Sequence, residues 1–168
     1  MNAIIHSNIF IFSAFISLIV SIYVLSHTRY TVYKSITALM FAITIWSVFY
    51  GMELRANNYE ILIMFVKLQY WGIVSIPVIW LIFASRYTGK DAWINVFSIS
   101  ALFVVPAVNL FMVNTNISHQ LFYTSSSILS TKFGFIHQFA SGPFYWIHII
   151  YSYFLISIGI ILVIIAFT

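Results

Sequence analysis

Five apolar runs, at residues 3–26, 35–54, 61–87, 94–113 and 144–168, each come close to or exceed the roughly 20 residues that a helix needs to cross a bilayer. No other feature constrains the chain as strongly. In hydrocarbon every backbone N–H and C=O must be satisfied inside the protein, and a helix does this within its own segment. The expected fold is therefore all-α, a polytopic transmembrane helix bundle of five spans forming a single domain over residues 1–168. Charge agrees with this reading: 6% of residues are charged, against about 25% in a soluble domain. A water-soluble core is excluded on that ground. Cysteine is absent, which removes disulfides, thiolate metal sites and cysteine nucleophiles together.

The first run has no basic residue before it and no small-residue cleavage site after it, so a retained span is expected rather than a signal peptide. A basic connection carrying Arg29 and Lys34 leads into the second run. Pro77 lies inside the third run and Pro106, with Asn109, inside the fourth; each proline removes one backbone donor and marks a soft point or hinge. Arg86, Lys90 and Asp91 sit with Gly89 in the connection between these two runs. The longest piece outside the apolar runs is 114–143. It contains two stretches with strand-like alternation, LFYTSSS and KFGFIHQF, separated by a serine-rich bend, and a small β-hairpin lid is expected there.

Lysine and arginine balance over short loops sets the expected orientation. Arg29, Lys34, Arg86 and Lys90 fall on one side, against Arg55, Lys67 and Lys132 on the other. The N-terminus and the hairpin are then outside, and the C-terminus is cytoplasmic. This arrangement gathers Glu53, Arg55, Lys67, His119, Lys132, His137 and His148 at one outer rim.

Trp46, Tyr50 and Glu53, at spacings i, i+4 and i+7, share a face of the second span. Lys67, Tyr70, Trp71 and Val74 share a face of the third. Charge at the ends of two apolar spans needs a partner, since a charge at mid-bilayer costs about 2.5 to 3.5 kcal/mol on insertion scales. Three partners are open: a mutual Glu53–Lys67 ion pair, lipid headgroups, or a polar–aromatic ligand pocket. An interfacial aromatic belt with one structural ion pair explains the same residues without a ligand. Asn116 and His119, following Asn114, are candidates for the pocket and equally for capping the fourth span. His148, with Tyr145 at i−3 and Tyr151 at i+3, lies about one turn inside the fifth span and is a candidate on the same rim, although a hydrogen bond to a neighbouring helix satisfies it as well.

Catalysis is not expected. There is no phosphate loop, no nucleophile elbow and no close carboxylate pair among three acidic residues. His137 and His148 lack metal-ligand spacing, so neither a metal nor a cofactor is expected.

The segments FAITIWSVFYGMEL, KLQYWGIVSIPVIWLIFASRYTG, FVVPAVNLFMVNTNISHQLFY and GPFYWIHIIYSYFL together resemble the N-terminal seven-transmembrane sensor region of bacterial histidine kinases, which also heads some diguanylate cyclases. The resemblance covers about 42–155. Its more specific pieces are Trp46 with Glu53; Trp71 to Pro77 followed by Trp80, Phe83, Tyr87 and Gly89; Pro106 with Thr115, Asn116 and His119; and Gly142-Pro143 before Phe144 and Trp146. The chain departs from the family in showing five spans rather than seven and no kinase after them, as a fragment or a truncated product would. The resemblance implies a signal-input module in the bacterial plasma (inner) membrane. Its partners would be the lipid bilayer, a small-molecule ligand and a cytoplasmic output domain in cis or trans, with a homodimer as an option and no nucleic acid. Rival classes are a transporter or channel component, which needs a polar path through the whole membrane, and a structural membrane-assembly subunit.

Overall fold

The computed structural model describes residues 2–27, 30–131 and 134–168, and the side chains of 4–27, 30–127 and 138–168. Arg29 and Lys132, and the side chain of His137, lie outside the described residues. Five long helices carry the apolar runs: α1 (Asn2–His27), α2 (Thr31–Glu53), α3 (Tyr59–Tyr87), α4 (Val96–Asn114) and α6 (Pro143–Ala166). A single turn, α5 (Asn116–His119), and an antiparallel hairpin of β1 (Tyr123–Thr131) and β2 (Gly134–Ser141) separate α4 from α6. All five long helices are long and apolar enough to cross a membrane.

Local chemistry fixes where the helices begin. Asn58 is extended and accepts the Ile61 N–H at 2.9 Å, so α3 starts at Tyr59. Asn95 and Ser98 form a reciprocal capping box that starts α4 at Val96. Pro143 sits in the first turn of α6, where its missing N–H has no intrahelical partner to lose. Helix α2 begins earlier than the apolar pattern suggests, at Thr31, and takes in Lys34. Gly89, at φ +69°, supplies the left-handed position that turns the chain after α3. The hairpin shows a second difference: Ser125, Ser126 and Ser127 pair with Ala140, Phe139 and Gln138 as the alternation predicts, but residues 128–131, expected as the bend, continue the strand and pair with 134–137. In a two-stranded ladder backbone hydrogen bonds carry the pairing, and a weak strand former is tolerated there.

Helix α3 is the centre of the bundle, with α2, α4 and α6 packed on it, while α1 packs on α2. Lipid tails are as apolar as leucine, so close approach and polar contacts, not water exclusion, hold such helices together. At Gly72 the backbone of α2 comes so near that an added Cβ would lie 2.4 Å from the Ala42 carbonyl oxygen. At Gly159 of α6 the Trp80 indole occupies the space of the missing Cβ, and its Nε1 donates to the Ile156 carbonyl at 3.2 Å. Ser7 of α1 donates to the Gly51 carbonyl at 2.7 Å, and Arg55 bonds Asn8. Two buried clusters divide the interior. One joins Leu62, Val66, Tyr70 and Val74 of α3 to Val113, Phe122 and Tyr123; the other joins Val78, Leu81 and Ile82 to Leu155. The helix runs without interruption through Pro77, which stands between them.

Candidate functional site

At the end of the bundle where α2 finishes and α3 and α6 begin, the hairpin closes over a cavity of about 270 Å³. Tyr50, Glu53 and Leu54 come from α2 and its cap; Val66, Gln69, Tyr70 and Ile73 from α3; Tyr123 and Phe139 from the hairpin; Tyr145 from α6. The polar centre is Glu53, whose Oε2 accepts from Gln69 Nε2 at 2.5 Å. Around it the aromatic rings are continuous. The Tyr70 and Tyr123 hydroxyls are 2.7 Å apart, Tyr123 lies 4.6 Å from Phe139, and Phe139 lies 5.6 Å from Tyr145, centroid to centroid. Burial pushes the Tyr123 phenol above its ordinary range, so this wall stays neutral at physiological pH. Ile73 lines the cavity as well, and Pro77, four residues on, leaves its carbonyl without the usual helical donor.

Besides the Tyr70–Tyr123 contact and a bond from the Tyr59 hydroxyl to Ser126 Oγ at 3.0 Å, the base of the hairpin is fixed by one side chain and one missing side chain. Asn116 uses both ends of its amide: Oδ1 accepts the N–H groups of Phe122 and Tyr123 at 2.9 and 3.0 Å, and Nδ2 donates to the Tyr123 carbonyl at 3.0 Å. At the same open end, where the chain leaves β2, Gly142 N donates to the Phe122 carbonyl at 2.8 Å and Phe144 N to the Leu121 carbonyl at 3.1 Å. A Cβ at Gly142 would sit 2.2 Å from the Leu121 oxygen. Phe122, fully buried, fills the base beneath.

Ten residues are candidates on sequence, and the structure distributes them among five environments. Tyr50, Glu53, Tyr70 and Tyr145 line the cavity. His148 packs behind it, its ring 6.1 Å from that of Tyr70 and its Nδ1 3.4 Å from Ser152 Oγ. Lys67 and Asn116 face a separate recess of about 40 Å³ that shares only Val66 and Tyr123 with the cavity. Lys67 and Glu53 do not pair. Lys67 Nζ donates to the Asn114 carbonyl at 3.0 Å, where a cation meets the negative end of α4. His119 is bound on both nitrogens, accepting from Leu121 N on Nδ1 at 3.0 Å and contacting Thr115 Oγ1 through Nε2 at 3.0 Å, which joins the end of α4 to the approach to β1. Trp46 and Trp71 are 42% and 57% exposed and turn outward from α2 and α3.

Four cavity positions carry little signal in sequence. Gln69 is an uncharged amide in an apolar run, and Tyr123 and Phe139 belong to the alternating stretches without marking themselves as cavity residues. Ile73 is noticeable only through Pro77. Of the two hinge candidates, Pro106 has a direct structural consequence: it leaves the Leu102 carbonyl without its helical donor, and Tyr151 of α6 supplies one, donating through its hydroxyl at 2.7 Å.

No curated protein and no solved structure matches the chain. Residues 9–168 match the family described as the N-terminal 7TM region of histidine kinase. That region is a sensor and not a catalytic domain. With its five apolar helices, this multi-pass membrane chain belongs to the family of N-terminal sensor regions of histidine kinases.

Proposed function

We propose that the chain receives a small-molecule signal in the cavity beneath the hairpin and passes a helix displacement to a cytoplasmic output domain. The observation that carries this reading is the composition of the cavity wall. Helices α2, α3 and α6 and the hairpin all contribute to one space, so a ligand there touches every element whose relative position could be read elsewhere. The orientation follows from basic residues, with Lys34, Arg86 and Lys90 at the opposite end of the bundle from the cavity. The cavity then opens to the extracytoplasmic side of the plasma membrane. From Tyr70 the displacement runs to His148 on α6, and farther down through Trp80 against Ile156 and Gly159. In this reading Pro77 and Pro106, inside α3 and α4, serve as the hinges for that displacement.

The test is ligand-dependent thermal stabilisation of the purified chain in lipid nanodiscs, screened against small molecules of mixed charge. Ile73→Trp, which fills the cavity, should remove every stabilising effect, and Lys67→Met should leave the effects intact because Lys67 faces the other recess. Stabilisation that survives Ile73→Trp places the ligand elsewhere and overturns this reading.

A further inference from the structure

The same cavity points to the chemical class of its ligand, an inference that rests on the reading above. The Glu53 carboxylate has one bond, from the Gln69 amide, and among the described residues it has no ion-pair partner. The two cations nearest to it in sequence beyond α2 are committed elsewhere: Arg55 reaches back to Asn8 of α1, and Lys67 caps the end of α4. Among the described residues the cavity thus holds a carboxylate with no positive charge bonded to it. The Tyr70 and Tyr123 hydroxyls satisfy one another across 2.7 Å, so what these residues and Phe139 offer a ligand is chiefly aromatic surface. Tyr145 and Tyr50 add rings from α6 and α2.

Aromatic faces attract cations through their quadrupole, and a ring-lined cage with a carboxylate is how proteins bind quaternary and other organic ammonium groups. An anionic ligand would meet Glu53 with no compensating cation. A polyhydroxylated neutral ligand could bond Glu53, Gln69 and the Tyr50 and Tyr145 hydroxyls, but it would leave the Glu53 charge without a counter-ion. We propose that the cavity beneath the hairpin binds a small organic ammonium ion, its charge against Glu53 and its alkyl groups against the Tyr70, Tyr123, Phe139 and Tyr145 rings.

The experiment compares choline, tetramethylammonium and ethanolamine with 3,3-dimethylbutan-1-ol, the uncharged carbon analogue of choline, using thermal shift and titration of the purified chain in nanodiscs. Acidic and neutral metabolites form a second panel. The ammonium ions should stabilise the chain and the carbon analogue should not. Glu53→Gln, and Tyr145→Leu measured separately, should each weaken ammonium binding on the order of 10-fold or more. Tyr145→Phe, which retains a ring, should bind nearly as wild type, and this separates loss of the cage from loss of the fold. Equal binding of the carbon analogue, or undiminished ammonium binding by Glu53→Gln, overturns the proposal. Binding confined to an acidic or neutral compound and abolished by Ile73→Trp also overturns it, while the cavity reading stands. If no compound in either panel binds, both fall.

Discussion

The bundle has two halves that meet at Pro77, and they are held together by different means. In the half under the hairpin, polar groups do much of the joining: Asn116 to the backbone of Phe122 and Tyr123, Gln69 to Glu53, Lys67 to the end of α4, Arg55 to Asn8. In the other half the interior is Val78, Leu81, Ile82 and Leu155, and the described polar links between α3, α4 and α6 are two donors on helix carbonyls, the Trp80 indole to Ile156 and the Tyr151 hydroxyl to Leu102. In the same half Arg86 ties α3 to Ser35 and Thr31 of α2, and Ser21 ties α1 to Thr37. The difference is instructive because neither half can rely on water exclusion to press helices together. Directional bonds hold the first half in one arrangement around a cavity. In the second half side-chain packing joins α6 to α3, and under the proposed function this contact makes the small sliding of packed helices that passes a signal on.

The largest test of this contrast is Gly142→Val. Its side chain would overlap the Leu121 carbonyl, and backbone cannot step aside as a side-chain tip can. A loss of about 3 kcal/mol is expected, with faster amide exchange confined to the hairpin and the start of α6. The counterpart in the other half is Gly159→Val, where the obstacle is the Trp80 indole, and a loss of about 1 kcal/mol is expected as the ring shifts. Equal effects would erase the distinction between the halves. Next in size is Asn116→Ala, expected to destabilise by about 2 kcal/mol because three backbone groups lose a partner at once. Exchange at the Phe122 and Tyr123 amides should rise while the amides around Leu81 and Ile82 stay protected. Unchanged protection at Phe122 would mean that the hairpin is held by its other contacts.

Much of the architecture is legible in the sequence because a bilayer allows few solutions. Apolar runs of sufficient length become helices, and the alternation in LFYTSSS and KFGFIHQF becomes a hairpin. What periodicity does not give is which neighbour a helix face meets. Lys67, Tyr70 and Trp71 fall within one arc of α3, yet Tyr70 faces the cavity, Lys67 reaches α4 and Trp71 turns outward. Glu53 is conspicuous as a charge at the end of an apolar run, whereas Gln69 becomes meaningful only when α2 and α3 are laid together. Asn116 is similar. Its partners are backbone groups six and seven residues on, which no side-chain pattern encodes.

The smallest effect concerns the half below Pro77 and tests whether its few polar links serve the prolines or the packing. Pro106 deprives the Leu102 carbonyl of its helical donor, and the Tyr151 hydroxyl takes that place from a different helix. Tyr151→Phe should therefore destabilise the chain by about 0.6 kcal/mol, the usual size of an interhelical hydrogen bond in membranes. In a Pro106→Ala background Leu102 regains a donor from its own helix, so Tyr151→Phe should cost close to nothing. The coupling in this double-mutant cycle, read from unfolding in mixed micelles, isolates the link between a helix bend and a neighbouring helix. If Tyr151→Phe costs the same in both backgrounds, the hydroxyl does not answer the proline, and α4 and α6 are joined here by ring packing alone.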